Sequence, residues 1–596
     1  MKPGNGLRCV TFVLWLGFLS AAGFTGSAHA ASYASLAIVK PVLTCDQLAH
    51  AELKTASGAR VAITKATVND TEKGAYCVVV GTVARGYRFQ DSLPIEHWTQ
   101  RFLMGAFGEA SGCTPAMNGE FAVASGGGGG TMGDASSQKL DPQAATWGLT
   151  PQARINGAYL NNHMSVLASK AVIKAFYGRD PRYSYMTGCS IGGWQVLQEA
   201  QRFPEDFDGY LVGAPPLYQT VHDLGFWHGW EYHINSRADG SVILTPDRLP
   251  ILHAAALAHC AAVSGVIDDD LQQPTACTFD KSWVQCPAAV TDTSNCLTAE
   301  EASVAEQLYL GPNDGKGRYF EPSGFPLGSE LQWHLSTPGK PADGEALAPH
   351  GVHAFLMPPL SGQDTATIMA QFSFTQQFLD KTRAMEPLFN ATNTDLRRFA
   401  GRGAKMILWQ GAEDTTVQPA NSLSYYEGVQ KQMGVEETDT FLRFFLLPGV
   451  GHCGGGDSAN REDLLTPLMS WVETKQAPVM IVAGKPVSQS SGLASPRNPA
   501  GPTGQGGPGG PGGPGGGAPF AQPPGPFVYT RPIYAYPSVA RYGGMGDKGD
   551  ASSYFAVRGP AKVPQSFDNA SVDMLGPHKQ KFYRVEAGTL VVTSKP

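Results

Sequence analysis

Short apolar runs alternate with segments of helical periodicity towards both ends of this 596-residue sequence. The runs are strand-like and include AYCVVVGTVA, RFLMGAF, YSYMTGC, YLVGAPP, AKMILWQGA and LRFFLLPG. Segments such as NNHMSVLASKAVIKAFYG lie between some of them and place apolar residues at helical spacing. Because this alternation is typical of helices packed against a mostly parallel sheet, the sequence predicts an α/β fold.

The stretch from about residue 225 to 395 departs from this alternation. It is rich in turn residues, contains four of the ten cysteines, and has scattered aromatic residues, namely Trp227, Trp230, Trp333, Phe372 and Phe374. We interpret it as a domain inserted into a core that comprises residues 31–224 and 396–596. Within the second part of this core, a Gly/Pro-rich insertion at about 488–527 cannot bury apolar side chains, and we predict a disordered surface loop there.

The N-terminus has the order of features that is typical of a signal peptide. Lys2 and Arg8 precede the apolar run VTFVLWLGFLSAAGF, and the small residues SAHA follow it. We therefore expect residues 1–30 to be removed and the protein to be secreted or periplasmic. A membrane anchor is the alternative, but the apolar run is short for a bilayer span of roughly 20 residues.

The charge pattern limits the partners of the protein. The formal net charge is -7, and the sequence has no run of basic residues. This pattern predicts no nucleic-acid partner and no membrane partner, and it favours a small-molecule substrate. It does not indicate an oligomeric state.

A G-x-S-x-G motif, Gly188-Cys189-Ser190-Ile191-Gly192, follows one strand-like run and precedes the helical segment GGWQVLQEAQRF. Its glycines permit a sharp turn from strand to helix, which leaves the serine hydroxyl accessible at the helix N-terminus. A chain with 71 glycines can contain such a string by chance. The motif therefore predicts a nucleophile only if the sequence also supplies a base and an acid.

Two further residues fit those roles. A serine nucleophile needs a histidine base, and the histidine needs a carboxylate that orients its ring. Asp414 in MILWQGAEDTTVQP and His452 in FFLLPGVGHCGG each follow a strand-like run, in the chain order of α/β-hydrolases. The sequence therefore predicts a triad of Ser190, Asp414 and His452, with Glu413 as the competitor of Asp414.

The predicted oxyanion hole combines two backbone N–H groups. One belongs to Ile191, directly after the nucleophile, and the other belongs to the glycine-bearing loop 105–108, where we select Gly108.

Cysteines flank two of the predicted catalytic residues, because Cys189 precedes Ser190 and Cys453 follows His452. Removal of the leader leaves nine cysteines, so at least one thiol is unpaired. Export permits disulfides, but the residues alone do not determine the pairing.

A family resemblance covers nearly the whole mature chain and rests on six segments. They are GCSIGGWQVLQEAQRFPEDFDGYLVGAPP, KMILWQGAEDTTVQP, FFLLPGVGHCGGG, RPIYAYPSVARYGGMGDKGDASSYF, and the shorter CLTAEE and LYLGPNDG. These segments resemble the tannase and feruloyl esterase family of secreted α/β-hydrolases, which includes the mono(hydroxyethyl) terephthalate hydrolases. The resemblance implies an α/β-hydrolase fold, a lid domain inserted over the site, the same triad, and hydrolysis of aromatic-acid esters.

The resemblance also implies the disulfide pairing. Its four pairs are Cys189 with Cys453, Cys45 with Cys77, Cys260 with Cys277, and Cys286 with Cys296. Cys113 is then the unpaired cysteine.

A calcium loop of the lid resembles CAAVSGVIDDDLQQPTAC, with two departures. Ala261 and Ser264 stand at two of the three expected carboxylate positions, and only Asp268 is retained. Calcium requires six to eight oxygen ligands, and its affinity depends on the number of carboxylates. We therefore expect that the protein needs no metal and no other cofactor, although Asp269 and Asp270 could compensate.

These observations favour a serine carboxylic ester hydrolase that acts through an acyl-enzyme. A catalytically inactive ligand-binding protein on a hydrolase scaffold is the alternative, and the filled triad positions disfavour it. A redox protein that uses Cys189 and Cys453 is less favoured, because the pair shows no C-x-x-C spacing. The sequence does not choose among gallate, ferulate, chlorogenate and terephthalate monoesters.

Overall fold

The computed structural model describes most of the chain from residue 32 onward. The described residues are 32–84, 87–106, 119–125, 151–222, 229–268, 270–336, 372–382, 385–456, 458–487, 526–560, 582–586 and 589–593. The predicted signal peptide, Gly108, Cys113 and Asp269 lie outside these residues, as does the predicted Gly/Pro-rich loop up to residue 525.

The strands of the described residues are, in chain order, β1 Leu53–Lys54, β2 Arg60–Thr71, β3 Gly74–Val83, β4 Tyr87–Pro94, β5 Arg101–Gly105, β6 Phe121–Ser125, β7 Tyr183–Cys189, β8 Gly209–Gly213, β9 Val266–Ile267, β10 Asp270–Leu271, β11 Lys405–Gly411, β12 Leu442–Leu447, β13 Arg461–Glu462, β14 Met480–Pro486, β15 Phe527–Tyr534, β16 Ser538–Tyr542, β17 Tyr554–Arg558, β18 Phe582–Glu586 and β19 Thr589–Thr593. Phe527, which we placed at the end of the Gly/Pro-rich loop, therefore already lies in a strand.

The α-helices of the same residues are α1 Cys45–Ala49, α2 Pro151–Ile155, α3 Asn161–Tyr177, α4 Ile191–Arg202, α5 Gln219–Val221, α6 Trp230–Asn235, α7 Leu249–Ser264, α8 Ala299–Leu310, α9 Gln376–Thr382, α10 Glu386–Phe389, α11 Arg397–Arg402, α12 Pro419–Met433, α13 Val435–Phe441 and α14 Leu465–Thr474. None of them is long and apolar enough to cross a membrane.

A ten-stranded sheet has the order β1-β2-β3-β4-β6-β5-β7-β8-β11-β12. The six strands from β6 to β12 in this order run parallel, whereas β1 to β4 pair antiparallel and β4 pairs antiparallel with β6. The prediction of an α/β-hydrolase fold with a mostly parallel sheet is confirmed. The carboxyl ends of β7, β11 and β12 meet at one edge, so the segments that follow these strands lie close together.

Both faces of the parallel strands are covered, which explains their nearly continuous apolar sequences. On β11, Met406 and Leu408 belong to a core cluster that includes side chains of α3, α4 and α12. The alternate residues Ile407 and Trp409 belong to a second cluster that includes side chains of α14 and β15. The period of two along the strand thus assigns each side chain to one face of the sheet.

The segment that we interpreted as an inserted domain, residues 225–395, connects the region after β8 to the region before β11 and is called the insertion below. It buries an apolar cluster of its own, which includes Leu244, Leu252, Leu297, Leu308 and Trp333. The insertion nevertheless belongs to the same compact unit as the sheet. It is therefore packed firmly against the α/β core.

Four disulfides join the described cysteines. They are Cys45–Cys77, Cys189–Cys453, Cys260–Cys277 and Cys286–Cys296, the four pairs that the resemblance implies. Two of them lie within the insertion, and Cys189–Cys453 joins the ends of two loops at the carboxyl edge of the sheet.

Candidate active site

Ser190 lies at the turn between β7 and α4. Its backbone has φ 61° and ψ -132°, which a non-glycine residue rarely adopts. A Cβ on Gly188 would lie 2.5 Å from the carbonyl oxygen of Gly192, and a Cβ on Gly193 would collide with the carbonyl oxygen of Gly213. The glycines around the serine therefore permit the sharp turn that the G-x-S-x-G motif predicts.

Asp414 is fully buried in the segment after β11 and accepts four hydrogen bonds. The backbone N–H groups of Thr416 and Val417 donate to Oδ1 over 2.9 and 2.8 Å. The Gln410 side-chain amide donates to Oδ2 over 2.8 Å. These donors hold the carboxylate in one orientation, with Oδ2 directed at the histidine.

His452 lies in the loop after β12, and its Nδ1 is 2.8 Å from Asp414 Oδ2. Asp414 accepts this hydrogen bond, so Nδ1 carries the proton and Nε2 offers its lone pair. Nε2 is buried and makes no hydrogen bond to any described residue. The histidine is thus oriented by an acid at one nitrogen and able to accept a proton at the other.

The Cys189–Cys453 disulfide connects the serine turn to the histidine loop. Its cysteines directly precede Ser190 and directly follow His452, and their Cα atoms are 5.9 Å apart. Cys453 has φ 58°, in the left-handed region, so the histidine loop is sharply bent where the disulfide holds it. The three candidate catalytic residues therefore converge at one edge of the sheet.

Glu413, the competitor of Asp414 for the acid role, is directed elsewhere. It is 5% exposed, and its Oε2 accepts a hydrogen bond from the side-chain amide of Gln332 in the insertion. The structure places Asp414 and not Glu413 against His452.

The predicted oxyanion donors are described only in part. Ile191 begins α4, so its N–H is among the first four of a helix, which have no acceptor within the helix. The strand β5 that leads to the second loop pairs with β7, and Ala106 N donates to Thr187 O over 2.8 Å. Gly108 itself lies outside the described residues.

A histidine with two carboxyl groups forms a cluster near the C-terminal end of α4, the end opposite Ser190. His163 Nδ1 is 2.7 Å from Asp206 Oδ2 and 3.4 Å from Glu199 Oε1. Burial lowers the pKa of His163, but hydrogen bonds to the two carboxylates outweigh it and raise the pKa to about 9. Lys170 Nζ lies 3.7 Å from Asp206 Oδ1. Burial raises the pKa of Glu199 to about 8, whereas His163 and Lys170 lie against Asp206, whose pKa is lowered, so we interpret the cluster as a buried charge network.

The loop that resembles a calcium site has a different cation. The Arg531 guanidinium of β15 donates to Asp268 Oδ1, and Arg531 also lies 4.2 Å over the ring of Tyr529. The alanine at position 261 supplies no side-chain oxygen, and Ser264 supplies one buried hydroxyl. The side chains at these three positions therefore supply fewer than the six to eight oxygens that calcium takes.

Sequence reasoning missed Gln410, and it missed Gln332 and Asp270 of the insertion, both of which are hydrogen-bonded to Glu413 beside Asp414; Asp270 was considered only as a calcium ligand. Gln410 carried a signal, because it is a polar residue in the otherwise apolar run MILWQG. The two residues of the insertion carried none, because nothing in their local sequence indicates contact with loops far along the chain.

The Tannase and feruloyl esterase family model matches residues 71–557. A mono(2-hydroxyethyl) terephthalate hydrolase from Piscinibacter sakaiensis is 28% identical over 572 residues, which cover 83% of this chain and 87% of that protein. A probable feruloyl esterase from Arthroderma benhamiae is 27% identical and covers 78% of this chain and 81% of its own length.

Solved structures show the same fold. Feruloyl esterase B from Aspergillus oryzae has a TM-score of 0.64 at 21% identity and covers 83% of this chain and 97% of its own. Tannin acyl hydrolase from Aspergillus niger has a TM-score of 0.59 at 17% identity and covers 90% of this chain and 99% of its own. Because the family model matches most of the sequence, this chain belongs to the tannase and feruloyl esterase family and is a carboxylic ester hydrolase of that type.

Proposed function

We propose that the chain is an exported serine esterase that cleaves esters of aromatic acids through an acyl-enzyme on Ser190. The observation that carries the proposal is the His452 ring, held at Nδ1 by buried Asp414 while Nε2 has no described partner. The disulfide that links the neighbours of Ser190 and His452 supports their pairing. Four disulfides also fit an extracellular protein.

The mechanism follows from these roles. Ser190 Oγ attacks the ester carbonyl while its proton passes to His452 Nε2, and Asp414 stabilises the resulting imidazolium. The Ile191 N–H donates to the oxyanion of the tetrahedral intermediate. When the intermediate collapses, His452 protonates the leaving alcohol and an acyl-enzyme remains. A water molecule then gives a proton to His452 Nε2 and attacks the acyl carbonyl. When this second tetrahedral intermediate collapses, Ser190 Oγ takes that proton from His452 and the acid is released.

The aromatic acyl group is proposed from the relatives, whose names specify terephthalate and feruloyl esters. Two aromatic residues of the insertion are candidates for stacking on the substrate ring when only the sequence is considered. The structure gives both of them contacts within the protein. Phe372 and Phe374 make an edge-to-face contact with ring centroids 5.1 Å apart, and both pack against the main core cluster. Their contacts support a packing role as much as a substrate contact.

We further propose that catalysis needs no bound calcium. The Arg531 guanidinium neutralises Asp268. Two further hydrogen bonds hold the same loop: the Gln272 side chain donates to the backbone C=O of Ala540 and accepts from its N–H, over 2.9 Å each. These protein groups thus anchor the loop to the C-terminal strands.

The test is a panel of methyl gallate, methyl ferulate, chlorogenate and mono(2-hydroxyethyl) terephthalate, assayed with the parent and with Ser190→Ala. We expect turnover of at least one ester by the parent and a loss of kcat of at least ~1,000-fold in the variant. Ser303→Ala, which removes an exposed hydroxyl on α8, is the matched control and should keep full activity. Absence of turnover on all four esters would favour the inactive ligand-binding alternative.

A further inference from the structure

Glu413 directly precedes the proposed catalytic acid Asp414 in the sequence, but its side chain points towards the insertion. Its Oε2 accepts a hydrogen bond from Gln332 Nε2, across 81 residues of sequence. The other end of the Gln332 amide faces the histidine loop, because a Cβ on Gly451 would lie 2.7 Å from Gln332 Oε1. One side chain of the insertion therefore lies against both the acid loop and the histidine loop.

Asp270 is a second side chain of the insertion at the same place. Its carboxyl group is hydrogen-bonded to Glu413 and to Ser458. It also approaches the backbone of Gly449 so closely that a Cβ there would collide with Oδ2. Gly449 and Ser458 lie on either side of His452 in the sequence, so Asp270 too contacts the histidine loop and the residue next to Asp414.

The contact between Glu413 and Asp270 requires a proton. A buried and a partly buried carboxyl group that are hydrogen-bonded to each other cannot both be ionised without a large cost. Glu413 Oε1 has no hydrogen-bond donor among the described residues, and a proton on it would donate to Asp270. Burial and the charge of Asp270 raise the pKa of Glu413 well above its usual value.

The remaining charged groups around the pair agree with a proton on Glu413. Glu330 also faces Glu413, but its own oxygens accept hydrogen bonds from Tyr309 OH over 2.8 Å and from Gly328 N over 2.9 Å, and His253 Nδ1 lies 3.0 Å away. Glu330 therefore has its own donors. Burial and the charge of Asp268 raise the pKa of Asp270 to about 6, but the hydrogen bonds to Glu413 and Ser458 and the charge of His253 oppose them, so the shared proton stays on Glu413.

We propose that Glu413, as a neutral acid, is a positioning residue that joins the insertion to both catalytic loops. It accepts from Gln332, donates to Asp270, and thereby holds the insertion against the loops that carry Asp414 and His452. Its backbone N–H donates to Val450 O over 3.0 Å, so the two loops are also joined directly at this residue. The proposal rests on the proposed triad, because it assigns Glu413 an effect on the geometry of that triad.

The test compares Glu413→Ala with Glu413→Gln. Alanine removes both hydrogen bonds of the Glu413 side chain and leaves Asp270 with Ser458 but without the proton of Glu413, so we expect kcat to fall at least ~10-fold while KM changes less than ~3-fold. Glutamine is neutral and can still accept from Gln332 and donate to Asp270, so its kcat should stay within ~3-fold of the parent. A kcat of Glu413→Ala equal to the parent overturns the proposal, as does a glutamine variant as impaired as alanine.

Two further variants separate positioning from stability. Asp91→Ala removes a carboxyl that is also buried but lies on β4, away from the catalytic loops, and it should lower the melting temperature without lowering kcat. If Glu413→Ala does not fold, Gln332→Ala removes one of the two hydrogen bonds, and an unchanged kcat in that variant overturns the proposal. The Ser190→Ala variant distinguishes failure of the proposed function from failure of this proposal. An active Ser190→Ala variant refutes the proposed triad. An inactive Ser190→Ala variant together with a fully active Glu413→Ala variant refutes only the positioning role of Glu413.

Discussion

Replacing both Cys189 and Cys453 with alanine should damage catalysis more than the loss of any of the other three disulfides among the described residues. The bond joins residues 264 apart in sequence, directly beside Ser190 and His452. Without it the histidine loop is free to relax from the left-handed backbone at Cys453, which has φ 58°. Displacement of reacting groups by about 1 Å can cost ~100-fold in rate, so we expect kcat to fall ~10- to 100-fold with little change in KM.

The cost in stability follows from the length of the closed loop. In the chain-entropy model, a loop of 264 residues corresponds to about 5.6 kcal/mol of unfolding free energy. The Cys286–Cys296 disulfide spans 10 residues, and the same model assigns it about 3 kcal/mol. Cys286→Ala with Cys296→Ala is therefore a matched control that loses a disulfide of the insertion but not the link between the catalytic loops.

The assay combines steady-state kinetics on the best ester of the panel with urea unfolding of the parent and both double variants. We expect the control to lose stability but keep its kcat, and the Cys189 and Cys453 variant to lose both. A folded variant without this disulfide that retains the kcat of the parent would refute the reasoning. So would mass spectrometry that finds both thiols free in the native protein.

Three further results are expected. EDTA should leave activity and melting temperature nearly unchanged, because Arg531 already neutralises Asp268; a drop of many degrees would contradict this. Gly193→Ala should destabilise the protein by ~1–3 kcal/mol, because the new Cβ would collide with the backbone of Gly213. Helix propensity alone predicts the opposite, so a stabilised variant would show that the turn can relax. Burial raises the pKa of Asp91 to about 7, and a hydrogen bond from a serine opposes this increase. Between about pH 4 and 7 the folded state therefore keeps a proton that the unfolded state has lost. The contribution of Asp91 to the stability of the fold consequently falls as pH rises from about 4 to 7. Asp91→Asn should flatten this part of the melting-temperature profile, and equal slopes in parent and variant would contradict the assignment.

The sequence by itself determined the parts of the protein that follow local rules. A strand that is covered on both faces must be apolar throughout, so the runs that became β7, β8, β11 and β12 were visible in the printed letters. A sharp turn after a strand needs glycines around Ser190, and parallel strands bring their carboxyl ends to one edge. These rules were sufficient to predict Ser190, Asp414 and His452 as neighbours, and the structure brings Asp414 and His452 into contact.

Other features of the site were decided only by tertiary structure. Whether Asp414 or Glu413 faces the histidine depends on a backbone turn after β11 that both residues share, and adjacent carboxylates look alike in sequence. The disulfide pairing followed from family resemblance, since an odd set of cysteines has no unique solution. Asp268 meets Arg531 across 263 residues, and no periodic pattern links such distant residues. The hydrogen bond between Glu413 and Gln332 is likewise invisible in the sequence. A contact between the insertion and a catalytic loop forms only when the chain has folded and the insertion has packed against the sheet.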